Sequence, residues 1–299
     1  MPSDQHWTPA RLGDRTGQRI IVTGATNGVG LATAHALAGA GAHVILAVRN
    51  TELGAQRATE IGGSTEVAHI DLSHLASVRA FAERLDDDVD ILINNAGLVS
   101  QNREETADGF EKTIGTNFLG PFALTNLILP RVRSQIINVG SDAHKQATIR
   151  LDDLHLTSRK WNIMGAYSRS KLAVMLWGLE LDRRLRESGS PVTSQLTHPG
   201  WVASNISNVS DTPLMSTFHK GVQVVANRFA NDIDAGAGPT LYCLSEPIPP
   251  GSYVGIDSRF GYKGGPTLAG RTGNACDFAA ARQLWEMAES QTGTSWPLS

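Results

Sequence analysis

The spacing of apolar and polar positions along roughly the first two thirds of the chain alternates between two periods. Short β-branched and apolar runs predict strands at 19–23, 43–48, 66–70, 89–93, 135–139 and 192–196. Helical spacing predicts helices at 28–40, from about 51, at 74–85, at 107–129 and through Tyr167 to about 187. Strands and helices are therefore expected to follow one another in turn.

This alternation, with short connections, implies parallel strands, and uninterrupted apolar strands imply helices on both faces of the sheet. The predicted fold class is α/β, a doubly wound parallel sheet of the Rossmann type. Since no linker-like shift in composition or internal repeat is present, residues 1–299 are expected to form one domain. Within it, residues 201–235 have two open interpretations: a small lid over an apolar substrate pocket, or helices packed on the core.

Composition excludes several classes of protein. The net charge of -3 comes from interspersed acids and bases, so no electrostatic footprint for nucleic acid is present. The two cysteines, Cys243 and Cys276, are interpreted as reduced thiols, and the histidines lack metal-ligand spacing, so no metal is expected. Because no apolar segment is long enough for a membrane span, a cytoplasmic protein is expected.

A glycine-rich turn, TGATNGVG, lies directly between the first predicted strand and the first predicted helix. Gly24 permits a tight turn, Gly28 allows backbone to approach a pyrophosphate, and Gly30 allows close packing of the helix on the sheet. The helix N-terminus then presents free N–H groups to the anion. The candidate cofactor-binding residues in this turn are Thr23, Gly24, Thr26, Asn27, Gly28, Val29 and Gly30.

The end of the second strand is the expected position of the residue that selects between NAD and NADP. An acid there would bind the ribose of NAD, but no Asp or Glu occurs between Gly41 and Glu52. Arg49, followed by Asn50, could instead pair with the 2′-phosphate of NADP. NADP(H) is therefore the expected preferred cofactor. In the alternative, Arg49 only faces solvent and NAD(H) binds.

Three further residues are suited to proton transfer. Tyr167 and Lys171 are four residues apart, so they lie on one face of a helix, where the ammonium is expected to lower the pKa of the phenol. Ser141 directly follows the fifth strand, at the edge where doubly wound folds bind ligands, and could hold a substrate oxygen.

In combination, these motifs resemble the short-chain dehydrogenase/reductase family over nearly the whole chain. The resemblance extends to Asp71 with Leu72 after the third strand, to Asn95, Ala96 and Gly97 after the fourth, and to Pro199, Gly200 and Val202 beside the nicotinamide. It implies that Tyr167 is the acid/base, that Lys171 also binds the nicotinamide ribose, and that Ser141 positions the substrate. The long segment before Tyr167 resembles the branch with retinol dehydrogenases and protochlorophyllide reductase-like proteins.

The family has a fourth catalytic position, an asparagine in the long helix, which falls here on Asn117. In the family, a backbone carbonyl at a break in this helix holds a water of the proton relay. Pro121 predicts such a break, because it lacks the N–H that would bond the carbonyl of Asn117.

The resulting hypothesis is hydride transfer between NADP(H) and a lipophilic carbonyl or alcohol. The alternative is a dinucleotide-sensing binding protein without turnover, because the fold alone does not establish catalysis. The expected partner is a small-molecule substrate. Homo-oligomer formation stays open, because the helices of Asn117 and Tyr167 often pair across subunits in this family.

Overall fold

The computed structural model describes residues 7–200, 233–257 and 264–298. Its strands are β1 (Arg19–Thr23), β2 (His43–Val48), β3 (Thr65–His69), β4 (Val89–Asn94), β5 (Val132–Val139), β6 (Thr193–Thr197), β7 (Tyr253–Ile256) and β8 (Pro266–Leu268). They form one sheet in the order β3-β2-β1-β4-β5-β6-β7-β8. Neighbouring strands from β3 to β7 are parallel, and β8 is antiparallel to β7.

The helices are α1 (Gly28–Gly39), α2 (Thr51–Ile61), α3 (Leu75–Glu83), α4 (Lys112–Ile114), α5 (Gly120–Ile128), α6 (Ile163–Glu187), α7 (Ile233–Ser245) and α8 (Phe278–Thr292). A short 3₁₀ helix, Asp142–Gln146, follows β5. Across the three described stretches, none of the helices has both the length and the apolar content that a membrane crossing requires.

Apolar clusters cover both faces of the sheet. Ile21 belongs to one cluster, with residues of α3, α5, α6 and α8, and its neighbours Ile20 and Val22 belong to the other, with residues of α1 and α7. Successive side chains of a strand point to opposite faces, so both faces need an apolar cover. The predicted doubly wound α/β sheet is confirmed.

The strand order reverses between β1 and β4, which opens a crevice beyond the carboxyl ends of these strands. Because β1 to β6 are parallel, the segments that follow them meet at this one edge of the sheet. Of the candidate lid at 201–235, residues 201–232 lie outside the described residues, and α7 begins at Ile233.

The start predicted for the long helix at 107–129 is wrong. The helical region begins at Lys112, because Gly109 closes a turn at φ +81° and the buried Glu111 carboxylate accepts hydrogen bonds from the N–H groups of Thr113 and Ile114. The predicted break is present, since residues Gly115–Leu119 form a π-helical turn that contains Asn117.

Candidate active site

The glycine turn connects β1 to α1 in the conformation that its sequence predicts. Gly24 and Gly28 have φ of +69° and +55°, which other residues rarely adopt. A Cβ on Gly24 would lie 2.9 Å from Cα of Ala96, and one on Gly30 would lie 2.3 Å from Nδ2 of Asn95. Glycine is therefore required at both positions for the turn to pack against the segment after β4.

Thr23 and Asn95 hold these two segments together. The buried Thr23 hydroxyl oxygen accepts hydrogen bonds from the N–H groups of Asn95 and Ala96, each at 3.0 Å. Asn95 Nδ2 in turn donates to the Thr23 carbonyl at 2.8 Å. Both residues thus shape the crevice from beneath, between β1 and β4.

The N-terminus of α1 is open to an anion. Asn27 occupies its N-cap, yet its side chain makes no capping hydrogen bond, whereas Asn50 caps α2 by accepting from the Leu53 N–H at 2.9 Å. Uncapped first-turn N–H groups and the positive end of the helix dipole are what bind phosphate in such folds. Thr26 and Val29 flank this position, and Arg57 of α2 donates to the Thr26 carbonyl at 3.1 Å.

Arg49 and Asn50 lie exposed after β2, and Asp71 lies partly buried after β3. Burial alone would raise the pKa of Asp71, but hydrogen bonds from Ser73 and the charge of Arg49 hold that pKa below its ordinary value. Arg49 and Asp71 thus follow two paired strands at the same edge of the sheet. Leu72 is buried, and its carbonyl oxygen would lie 2.1 Å from a Cβ on Gly120, where α5 crosses it.

Lys171 is buried under the end of β5. Its Nζ donates to the Val139 carbonyl at 2.9 Å, and a Cβ on Gly97 would lie 3.5 Å from Nζ. Burial lowers the pKa of Lys171 to about 8. The ammonium is therefore still charged at neutral pH but costs free energy there.

Tyr167 and Ser141 are close to each other, as predicted, but the expected effect of Lys171 on the phenol is wrong. Lys171 Nζ lies 5.9 Å from the centre of the Tyr167 ring. Burial raises the pKa of Tyr167 above its ordinary value, and a hydrogen bond with Ser141 opposes that rise only in part. Desolvation is thus the dominant cause, and the phenol is a proton donor at neutral pH.

Asn117 connects the helical break to the segment after β4. Its side chain donates to the Leu98 carbonyl at 2.9 Å and accepts from the Leu98 N–H at 2.8 Å. Nδ2 also lies 3.0 Å from the hydroxyl of Ser170, which is on α6 next to Lys171. The buried Asn117 and Lys171 therefore meet beside the partly exposed Gly97.

Pro199 and Gly200 follow β6 at the same edge, with Gly200 at φ +71°. Val202 lies outside the described residues.

The sequence analysis missed three residues beside Ser141, namely Asp142, His144 and Tyr253. The first two follow Ser141 closely in the sequence DAHK, so their position after the fifth strand was an available signal. In the described ranges, no three His, Cys, Asp or Glu side chains are grouped as metal ligands would be.

The residues at this edge fit a dinucleotide. The glycine turn packs closely against the segment after β4, α1 presents uncapped N–H groups, and a buried ammonium stands beside the proton donor. Such an arrangement can bind a pyrophosphate at one end and support proton transfer at the other.

Comparison with known proteins agrees with this geometry. Residues 18–213 match the family described as "short chain dehydrogenase". Retinol dehydrogenase 13 from Homo sapiens is 44% identical over 196 residues, which cover 62% of this chain and 59% of that protein. Polyprenol dehydrogenase from Mus musculus is 36% identical, with 95% of this chain and 87% of that protein covered.

Among solved structures, the crystal structure of an uncharacterized protein from Mycobacterium paratuberculosis has a TM-score of 0.85 and 41% identity. The alignment covers 98% of this chain and 100% of that one. The family match over more than half of the sequence and the relative aligned along almost all of it show that this chain belongs to the short-chain dehydrogenase/reductase family of oxidoreductases.

Proposed function

We propose that this chain is an NADP(H)-dependent oxidoreductase that interconverts an alcohol and a carbonyl compound, with Tyr167 as the acid/base. The observation that carries this proposal is the meeting of Tyr167, Ser141 and the buried Lys171 at the carboxyl edge of the sheet. A protein that only senses a dinucleotide has no chemical need for a proton donor there.

Four groups of residues would hold the cofactor. The glycine turn would bind the pyrophosphate, Arg49 and Asp71 the adenosine end, Asn95 to Gly97 the middle of the crevice, and Lys171 the nicotinamide ribose. When bound, the nicotinamide supplies or takes up the hydride at the substrate carbon.

The chain itself handles the proton. Ser141 would hold the substrate oxygen, and Tyr167 would give its phenolic proton to that oxygen during reduction and recover one during oxidation. A tyrosine with its ordinary pKa of about 10 is protonated at neutral pH, and burial raises the pKa of Tyr167 further, so the form needed for carbonyl reduction is present. The backbone carbonyl of Asn117, in the π-helical turn, is the proposed holder of a relay water.

The test is the rate of NADPH oxidation with a panel of carbonyl substrates, comparing the wild type with Tyr167→Phe. Loss of a general acid is expected to lower the rate by about 100-fold or more. NADPH binding, measured by fluorescence, should persist, which shows that the variant is folded. Tyr242→Phe, on α7, is the matched control and should keep the wild-type rate. Equal rates in the wild type and Tyr167→Phe would refute the assigned role.

Preference for NADP(H) is supported by Arg49, which is exposed at the end of β2 where no carboxylate is available for a ribose. A guanidinium can bond a phosphate through two parallel N–H donors. Arg49→Ala is therefore expected to raise the Kd for NADP by about tenfold or more, with little change for NAD. Arg84→Ala, an exposed arginine directly after α3, is the control. Tighter binding of NAD than of NADP by the wild type would exclude the preference.

A lipophilic substrate is the finer part of the proposal. It is supported by relatives whose names refer to retinol and polyprenol, both apolar alcohols with long chains. A panel of long-chain aldehydes, retinoids, steroids and quinones against small polar carbonyl compounds provides the measurement. Activity confined to the small polar compounds would contradict this part while leaving the role of Tyr167 intact.

A further inference from the structure

Asp142, the residue directly after Ser141, links three strand ends. Its Oδ1 accepts a hydrogen bond from the Tyr253 hydroxyl at 3.1 Å, and Nε2 of His198 lies 3.5 Å from the same oxygen. Its Oδ2 pairs with Lys145 at 2.9 Å. The carboxylate thus connects the segment after β5 to β6 and β7.

His198 has one defined orientation. Its Nδ1 accepts a hydrogen bond from the Gly200 N–H at 3.1 Å, so this nitrogen carries no proton and Nε2–H faces Asp142. The ring is buried, and a Cβ on Gly255 would lie 2.3 Å from Nε2. His198 therefore holds the Pro199–Gly200 turn on one side and meets Asp142 on the other.

Tyr253 and His144 complete the arrangement. The Tyr253 ring lies against His198 at 5.4 Å and meets the edge of His144 at 5.7 Å. Nδ1 of His144 donates to the Ser141 carbonyl at 2.7 Å. Burial raises the pKa of Tyr253 and the carboxylate of Asp142 raises it further, so the hydroxyl stays protonated and remains a donor.

We propose that Asp142 is a positioning residue: through Tyr253 and His198 it holds the Ser141 segment and the Pro199–Gly200 turn in one arrangement. This inference rests on the proposed function, because those two segments form the substrate and nicotinamide sides of that site. A side chain that acted only on global stability would have no separate effect on coenzyme binding or on the pH profile.

The charge of Asp142 has its own measurable consequence. Burial lowers the pKa of His198 and Asp142 opposes that fall, while Lys145 and His144 lower it further and Tyr253 packs against the ring. When acid protonates Nδ1 of His198, this atom no longer accepts the Gly200 N–H, and the turn loosens. Removal of the carboxylate charge should therefore move the acid limb of coenzyme binding to lower pH.

The experiment compares NADPH Kd, kcat and the pH profile of the wild type with three variants. Asp142→Ala removes the contacts with Tyr253 and His198, together with the Lys145 pair, and should raise Kd or lower kcat by about tenfold at neutral pH. Asp142→Asn keeps an acceptor oxygen for Tyr253 and His198, so its Kd and kcat should stay within about threefold of the wild-type values. The acid limb of its NADPH binding should move to lower pH. Asp152→Ala, an exposed aspartate paired with Arg150, is the control and should match the wild type.

Tyr253→Phe removes only one hydroxyl and should change Kd and kcat in the same direction as Asp142→Ala, by less. The inference is overturned if Asp142→Ala matches the control, or if its loss of activity follows only the loss of folded protein in thermal unfolding. It is also overturned if Asp142→Asn is as impaired as Asp142→Ala without a shifted limb. A wild type that binds NADPH without turnover would refute the proposed function instead, and the Kd values alone would then decide the role of Asp142.

Discussion

Replacement of Lys171 by methionine should stabilise the coenzyme-free protein while it removes activity. Lys171 is 5% exposed, and its ammonium bonds a backbone carbonyl rather than a carboxylate. The fall of its pKa from 10.5 to about 8 corresponds to about 3 kcal/mol of lost stability at neutral pH. Lys171→Met also loses the hydrogen bond to the Val139 carbonyl, which reduces this gain in stability by about 1 kcal/mol. The expected net gain in the free energy of unfolding is about 2 kcal/mol.

The sign of the pH dependence follows from the lowered pKa. The folded protein binds the Lys171 proton less readily than the unfolded chain, so the cost is fully present below pH of about 8. Between about 8 and 10.5 the folded protein has released the proton while the unfolded chain still holds it, and the cost disappears. The advantage of Lys171→Met should therefore shrink as pH rises through that window.

Urea unfolding followed by tryptophan fluorescence, after removal of bound nucleotide, measures this difference at several pH values. Lys160→Met, an exposed lysine, is the matched control and should change stability by about 0.5 kcal/mol at most. A variant less stable than the wild type at neutral pH, or a difference that does not depend on pH, would show that the buried ammonium is not the source of the cost.

Two further predictions concern the glycine turn and the C-terminal helix. Gly30→Ala places a Cβ 2.3 Å from Nδ2 of Asn95, so nucleotide binding should be lost in titration calorimetry while Gly39→Ala, with open space around it, retains binding. In α8, Trp285 lies 4.9 Å from Phe122 of α5 and under Arg184 of α6, so this helix covers surfaces that would otherwise pair across subunits. Light scattering is expected to give the 32.0 kDa mass of one chain, and a dimer would contradict that reasoning.

The sequence was most informative where the physical cause is local. Period and β-branching located β1 to β6, and the glycine spacing located the turn before α1, because strand and turn preferences depend on neighbouring residues. The sequence placed the start of the long helix at 107 instead of Lys112. Apolar residues keep a helical spacing before Lys112, but Gly109 and the Glu111 cap exclude those residues from the helix. Pro121 correctly indicated a break, since a missing N–H is a local property.

The tertiary structure decided which groups meet and how burial affects them. Tyr253 is 111 residues from Asp142, and no local pattern predicts their hydrogen bond. The direction of the Tyr167 pKa shift could not be predicted from its spacing to Lys171, because burial of the phenol in the folded chain is the largest cause of that shift. The sequence by itself determined β1 to β6, the turn and the residue types of the site, whereas the short strands β7 and β8 were not predicted. Only folding determined their mutual distances and burial, because electrostatic free energies depend on the surroundings of a group and not on its position in the chain.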